Sequence, residues 1–474
     1  MNHVVTADHA FVPRRFKALE RKDLRSIPQL AHMPEREIRA MEVVASVLPF
    51  RVNEYVTSEL IDWARVPDDP IFQLTFPQRG MLGDDDFAAM EALIASNAPA
   101  DRVRAEARRI QHSLNPHPAG QLDLNTPMLE GRRTRGLQHK YRETVLFFPQ
   151  QGQTCHAYCT YCFRWPQFVG LDDDMKFASR EADELVAYLR AHPEVTDVLI
   201  TGGDPMLMKT SLLRRYIEPL LAADLPHLAT IRIGTKAPAY WPYRFVTDAD
   251  SDDLMALFEE VVASGRTLAL MAHWSHPREL ETRIAQAAMR RIRATGALVR
   301  CQAPIIRHVN DDALAWAELW RLQVQLGAMP YYAFVERDTG ARHWFEVPLV
   351  RAWEIVRDAK ARVSGLARTA RGPSMSATPG KIVIDGPVEI RGERALALRF
   401  LQARNPDWVG RPFYAKYDEQ AAWLDHLEPA FGEKEFFFEP EMRRIRKDPD
   451  RARAAFPIAR RRLPVYPEDT ALAS

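Results

Sequence analysis

Thr144-Val145-Leu146-Phe147-Phe148, followed closely by Thr154-Cys155-His156-Ala157-Tyr158-Cys159-Thr160-Tyr161-Cys162-Phe163-Arg164, decides how this chain is read. The first run is a β-branched and aromatic strand, and the second is a loop with Cys-x3-Cys-x2-Cys spacing. A short loop of this spacing can turn three sulfurs inward on one cubane. Electron-transfer clusters ordinarily take four thiolates, and the remaining cysteine, Cys301, is remote in sequence and reads as a buried strand residue. Three thiolates from Cys155, Cys159 and Cys162 leave one iron of a [4Fe–4S] cluster open to a substrate or cofactor. The competing reading is structural zinc, which takes four closed ligands and would need His156, directly adjacent to Cys155, as the fourth.

Outward from that loop, short β-branched or aromatic runs alternate with longer amphipathic stretches. Strands are predicted at Thr144–Phe148, Asp197–Thr201, Thr230–Gly234, Thr267–Met271, Leu298–Gln302 and Pro330–Val335. Helices are predicted at Arg180–Ala191, Ser211–Ala223, Ser251–Ala263, Arg278–Thr295, Asp311–Leu326 and Leu349–Val363. Strands separated by helices of this length lie parallel, joined by right-handed crossovers. The expected fold is α/β, a partial (β/α)6 barrel whose ligands sit at the C-terminal ends of the strands.

The flanks differ from this core. From Pro34 to Ser113 the pattern is mostly helical, interrupted by an extended, Pro-bearing piece at Val66–Phe72. Asn115 to Gly136 is rich in Pro, Gly and polar residues and reads as a linker. After Ser364 the pattern turns irregular, then strand-like at Lys381–Ile384 and Pro387–Ile390, and the tail from Glu433 is charged. The predicted division is therefore 1–135, 136–365 and 366–474. The acidic runs Asp84–Asp86 and Asp172–Asp174 read as solvated loops, because adjacent carboxylates repel unless an ion fixes them. Lys plus Arg total 64 against 63 acidic residues, which gives no reason to expect nucleic acid or an anionic membrane as partner. No stretch approaches the roughly 20 apolar residues of a membrane span, and Met1-Asn2-His3-Val4 opens no signal peptide. A cytoplasmic protein is expected, in keeping with cysteines crowded for metal ligation in a reducing compartment.

The cysteine loop resembles that of radical S-adenosylmethionine (SAM) enzymes, and Gly202-Gly203-Asp204-Pro205 resembles that family's Gly-Gly-Asp/Glu element. The resemblance implies that the open iron chelates SAM, that the cluster splits it to an adenosyl radical, and that Gly202, Gly203 and Asp204 contact the methionine amino group. Without it, the turn is ordinary strand-to-loop punctuation whose glycines permit close backbone approach. Over residues 20–390 the chain resembles lysine 2,3-aminomutase and its relatives more closely. The matches, in order, include Asp69-Pro70, Phe76-Pro77, His139-Lys140-Tyr141, Ile231-Arg232-Ile233-Gly234-Thr235, His273-Trp274-Ser275-His276-Pro277, Gln302, His308-Val309-Asn310-Asp311, Pro330-Tyr331-Tyr332 and Pro379-Gly380-Lys381.

That resemblance implies roles residue by residue. Lys381 matches the lysine that holds pyridoxal 5′-phosphate (PLP); on its own, a Lys after Pro-Gly is a surface turn residue. Lys140 and Tyr141 fall near the PLP phosphate, where a further family arginine is replaced by Thr144. Arg164 matches the arginine for the substrate α-carboxylate, a site suited to a planar bidentate donor, and would otherwise read as a surface ion pair. His273 and Gln302 match SAM-contacting positions; each alone reads as a polar group inside a barrel. Cysteines that carry a structural zinc in some relatives are missing. The implied cofactors are the [4Fe–4S] cluster, SAM and PLP. The implied partners are an amino-acid substrate, a reductant protein such as flavodoxin or ferredoxin, and further copies of the chain in a homo-oligomer.

The implied activity is a 2,3-aminomutase moving an amino group from C2 to C3 of an L-amino acid. The alternatives are a radical SAM and PLP enzyme of elimination or epimerisation, and a non-catalytic Fe–S or zinc protein. The substrate stays open. Lysine-specific relatives use two aspartates for the distal ammonium; one position is Ser374 here, and the other falls at Arg337, or at Glu336 or Asp338 if a one-residue gap is placed. A carboxylate there favours a basic tail, and Arg337 an acidic or polar one.

Overall fold

The computed structural model describes residues 11–115, 124–170, 178–179 and 182–448. Its centre is one eleven-stranded sheet. In chain order the strands are β1 (Leu137–Tyr141), β2 (Thr144–Phe147), β3 (Asp197–Ile200), β4 (Thr230–Thr235), β5 (Thr267–His273), β6 (Leu298–Ile305), β7 (Met329–Val335), β8 (Arg371–Ser376), β9 (Gly380–Ile390), β10 (Glu393–Ala403) and β11 (Pro412–Lys416). Every sheet neighbour is also a neighbour in sequence. From β2 to β8 all pairings are parallel; β1 at one edge and β9 to β11 at the other pair antiparallel. The six predicted β/α units are present as a partial barrel, and β8 adds a seventh parallel strand.

Backbone pairing does not close this barrel, so side chains bridge its gap. Lys140 on β1 donates through Nζ to the Ala377 carbonyl after β8, and Arg404 beyond β10 donates to Asn125 Oδ1 at 2.6 Å. Strand β2 is buried on both faces apart from Leu146, as expected of a parallel strand covered by helices.

Differences from the sequence reading have local causes. The predicted helix Arg278–Thr295 is two helices, Arg278–Glu281 and Arg283–Ala294, because Thr282 is extended and its hydroxyl caps the second by accepting from Ala285 N–H. The extended piece at Val66–Phe72 ends sooner than expected: Asp69 N-caps a helix over Pro70–Thr75 with Pro at its first position. Asp84–Asp86 is the first turn of helix Asp84–Ala95, where carboxylates favour the positive helix end, and Asp86 pairs with Arg109. The Asp172–Asp174 run lies outside the described residues. The C-terminal part is not irregular. Lys381–Ile384 and Pro387–Ile390 belong to the single strand β9, whose register shifts between Ile384 and Gly386, and the tail carries helix Glu439–Lys447.

Two apolar cores hold the chain together. The larger joins the N-terminal helices to the barrel, from Leu24 and Val43 through Phe76 to Ile231 and Trp316. The second lies under β8 to β11 and centres on Phe400, Phe413 and Phe438, whose rings meet edge-on or tilted at 5.2 to 5.6 Å. Among the described residues no helix is long and apolar enough to cross a membrane.

Candidate active site

A cavity of about 1050 Å3 occupies the inside of the partial barrel and the C-terminal ends of its strands. That exceeds the usual space for a single small ligand. Every residue nominated above for catalysis, cofactor or metal lines this one space, with the three cysteines and Lys381 among them. Ser374 and Cys301 do not line it; both are buried in strands.

The cysteine loop follows β2 and is held from outside the barrel by the N-terminal region. Tyr158 N–H donates to the Arg51 carbonyl at 2.8 Å, and Thr160 N–H to the Leu74 carbonyl at 3.0 Å. Asn53, fully buried, donates through Nδ2 to the carbonyls of His156 (3.1 Å) and Tyr240 (3.0 Å). Cys159 Sγ lies 3.3 Å from the Tyr240 hydroxyl. All three thiols are free, and burial pushes each upward, Cys162 to about 12, so metal loading must displace protons. Among the described residues no three His, Cys, Asp or Glu side chains form a group that could hold a metal ion. A lone zinc needs ligands converging to about 2.3 Å from a point, whereas a cubane spreads its thiolates over separate irons. Three soft thiols lining one cavity fit the distributed group.

The glycines serve this loop in a way the sequence did not announce. A Cβ on Gly203 would lie 2.5 Å from Thr154 N, and one on Gly202 would lie 2.4 Å from Gln153 Nε2. They let the turn after β3 seat directly on the backbone beside Cys155. Asp204 N–H completes the contact by donating to the Thr154 carbonyl at 2.8 Å. The Asp204 carboxylate accepts from Thr235 Oγ1 (2.7 Å), Met206 N–H (2.9 Å) and Lys236 N–H (2.8 Å), and burial nevertheless raises it to about 6. His273 ends β5 with Nε2 3.2 Å from the Tyr161 hydroxyl; burial, with Lys236 nearby, holds its imidazole neutral. Gln302 faces the cavity half-buried on β6.

Lys381 lies near the start of a strand, as the strand-like Lys381–Ile384 run predicted, and not in a surface turn. The Ser374–Gly380 stretch is the end of β8 and a tight turn, and Lys381 is the second residue of β9, paired with Ser376. Its Nζ lies 4.0 Å from the centre of the Tyr332 ring, and burial lowers its amine to about 7. Arg404 anchors the preceding turn, donating through Nε to the Thr378 carbonyl at 2.8 Å. Lys140 and Tyr141 on β1 are half-buried beside these cations; desolvation first, then Arg404, Arg337 and Lys381, press the Lys140 amine down. This accumulation of positive charge is a site for an anion. The sequence carried no signal for Arg404, Asn53 or Tyr240, none of which belongs to a motif.

Two arginines flank the Phe163 ring: Arg164 at 5.1 Å and Arg337 at 5.3 Å from its centre. Among the described residues no carboxylate pairs with Arg164. Burial lowers it to about 10, so it stays charged at neutral pH. Arg337 also lies 5.6 Å from the Trp423 ring, contributed by the C-terminal part, and Asp338 approaches its Nε only to 3.9 Å.

Three thiols on one short loop, the glycine turn seated beside them and a half-buried lysine with a lowered amine pKa thus share one cavity of the open barrel. The chain matches, at 31% identity over 404 residues, a protein of Aquifex aeolicus (strain VF5) named "Putative L-lysine 2,3-aminomutase", covering 85% of this chain and 93% of that one. It is 28% identical over 338 residues to L-lysine 2,3-aminomutase of Bacillus subtilis (strain 168), covering 67% and 68%. A solved radical SAM methyltransferase from Sphaerobacter thermophilus superposes with TM-score 0.34 at 18% identity, over 59% of this chain and 91% of that one. No family model matches the chain. The chain belongs to the lysine 2,3-aminomutase family of radical SAM enzymes. It is an isomerase of that kind, and the family's cofactors are a [4Fe–4S] cluster, SAM and PLP.

Proposed function

We propose that this enzyme is a PLP-dependent amino-acid 2,3-aminomutase that forms a β-amino acid from an L-α-amino acid. The observation that carries the reading is that Lys381, an amine lowered to about 7, shares one cavity with three free thiols. Cys155, Cys159 and Cys162 would hold the cluster; Gly202, Gly203, Asp204, His273 and Gln302 would surround SAM. Lys381 would carry PLP, with Lys140 and Tyr141 toward its phosphate. When bound, the cluster with SAM supplies hydrogen-atom abstraction, and PLP supplies covalent attachment of the substrate amine.

The chain's own residues do the rest. Lys381 presents a substantial unprotonated fraction near neutral pH, because burial and the charges of Arg232 and Arg371 disfavour its ammonium form. Arg164 offers a bidentate fork to the substrate α-carboxylate and so fixes which hydrogen faces the radical source. Tyr332 and Phe334, stacked at 4.9 Å, wall Lys381 with apolar surface that keeps water off. We further propose the division 1–135, 136–365 and 366–474, a homo-oligomer, and a reductant such as flavodoxin or ferredoxin.

Anaerobically reconstituted protein with SAM, reductant and a panel of L-amino acids should yield a β-amino acid, read by chiral chromatography with mass detection. A keto acid or an inverted α-amino acid as sole product would replace this reading with elimination or epimerisation.

A further inference from the structure

The cavity holds more positive charge than its proposed anions require. With Lys140 and Arg404 assigned to a PLP phosphate and Arg164 to an α-carboxylate, Arg232, Lys236, Arg337, Arg443 and Arg446 also line the cavity, and of these Arg337 shares an aromatic ring with Arg164. Arg337 lines the cavity next to Arg164, and the two guanidiniums share the Phe163 ring. Its Nε is buried without a hydrogen-bond partner, and Asp338, the nearest carboxylate, stays at 3.9 Å, beyond hydrogen-bonding reach. The Arg337 side chain is one quarter exposed, but an Nε buried without an acceptor costs stability unless a ligand completes it.

The carboxylates next to Arg337 are already set beside a cation: Asp338, which also lines the cavity, lies 3.9 Å from the Arg337 Nε. Glu336 faces the same cavity, but it is buried, and burial raises its carboxyl well above the usual range, which disfavours its charged form. Ser374, on β8, is fully buried, does not line the cavity, and has no partner for its hydroxyl among the described residues.

Resting on the aminomutase reading, we propose that the substrate is a dicarboxylic amino acid, aspartate- or glutamate-like, with its α-carboxylate on Arg164 and its side-chain carboxylate on Arg337. Guanidiniums centred 5.1 Å and 5.3 Å from the same ring centre stand at most about 10 Å apart, within the span of a four- or five-carbon substrate whose two carboxylates each stand at hydrogen-bond distance from one of them. The Trp423 ring lines the cavity 5.6 Å from the Arg337 guanidinium, so the C-terminal part contributes to specificity. A lysine tail would set an ammonium against Arg337, a like-charge encounter in a closed space.

The test is a binding measurement that needs no turnover. PLP-loaded protein is titrated with L-glutamate, L-aspartate, L-alanine and L-lysine, and dissociation constants are read from the absorbance of the bound cofactor. Glutamate or aspartate should bind tightest. Arg337→Met should weaken that acid about 10- to 100-fold, leave alanine within about twofold, and Arg337→Lys should restore part of the loss. Lysine or alanine binding best to the wild-type protein overturns the proposal without any variant. Loss of PLP retention in Arg337→Met, with pyridoxal binding unchanged, assigns Arg337 to the phosphate and also overturns it. A wild-type protein whose PLP absorbance responds to none of the four removes the aminomutase reading itself, and this inference with it.

Discussion

The two sides of the cavity are built by opposite strategies. On the thiol side, three functional groups come from eight consecutive positions, Cys155 to Cys162, and the distant chain supplies only support: Arg51, Asn53 and Leu74 from the N-terminal region, Gly203 from the turn after β3. On the lysine side each charged group comes from a separate strand or strand end: Lys140 on β1, Arg337 after β7, Lys381 on β9, Arg404 after β10. One side is a motif held by a scaffold, and the other exists only once the sheet has formed.

The sharpest way to break that comparison is to remove one side and read the other. Cys162→Ala should abolish the iron–sulfur absorbance and reductive SAM cleavage, while borohydride still fixes PLP to the protein. Lys381→Ala should do the reverse: cluster and SAM cleavage intact, with no label fixed. Both effects are all-or-none, read by absorbance and by peptide mass. A cluster lost from Lys381→Ala would show that the sides fold as one unit.

A smaller effect tests the scaffold. Asn53→Ala strips the buried carbonyls of His156 and Tyr240 of their donor and leaves Val56 N–H without its acceptor. Burying unmade hydrogen bonds of this kind costs about 3 kcal/mol in all. Denaturant titration should show that loss, and cluster occupancy should fall with PLP fixation unchanged. Equal loss of both would mean that the N-terminal region, whose helices share the larger core with the strands, supports the whole barrel.

What the sequence disclosed follows the same divide. The six β/α units were readable because strand and helix periods differ and the units repeat; the observed strands Asp197–Ile200 and Thr230–Thr235 end within a residue of expectation. The cysteine loop was readable because its ligands are local. Strand β8 and the antiparallel strands β10 and β11 were not; Arg371–Ser376 contains Gly and Pro and offers no alternation, and its strand character comes from pairing with β7 and β9. Arg404 was invisible for a related reason: its meaning depends on the Thr378 carbonyl and on Asn125, far away along the chain. Lys381 was nominated by resemblance, but its burial, which gives it chemistry, belongs to β9 and to the Tyr332 ring.

The smallest expected effect concerns that burial. An ordinary lysine amine keeps its proton up to about pH 10.4, whereas Lys381 releases it near 7 because burial, Arg232 and Arg371 all disfavour the ammonium form. Only the unprotonated amine attacks an aldehyde, so the rate of PLP attachment should climb about tenfold per pH unit below 7 and level off above it. The same shift has a stability sign. Between pH 7 and about 10.4 the unfolded chain binds a proton that the native lysine lacks, so this group's contribution to stability rises with pH across that window. Stopped-flow absorbance from pH 5.5 to 9 checks the rate. A half-rise above pH 9 would mean that the amine is solvated, and the lysine side would then lose the enclosed character that distinguishes it from an exposed turn.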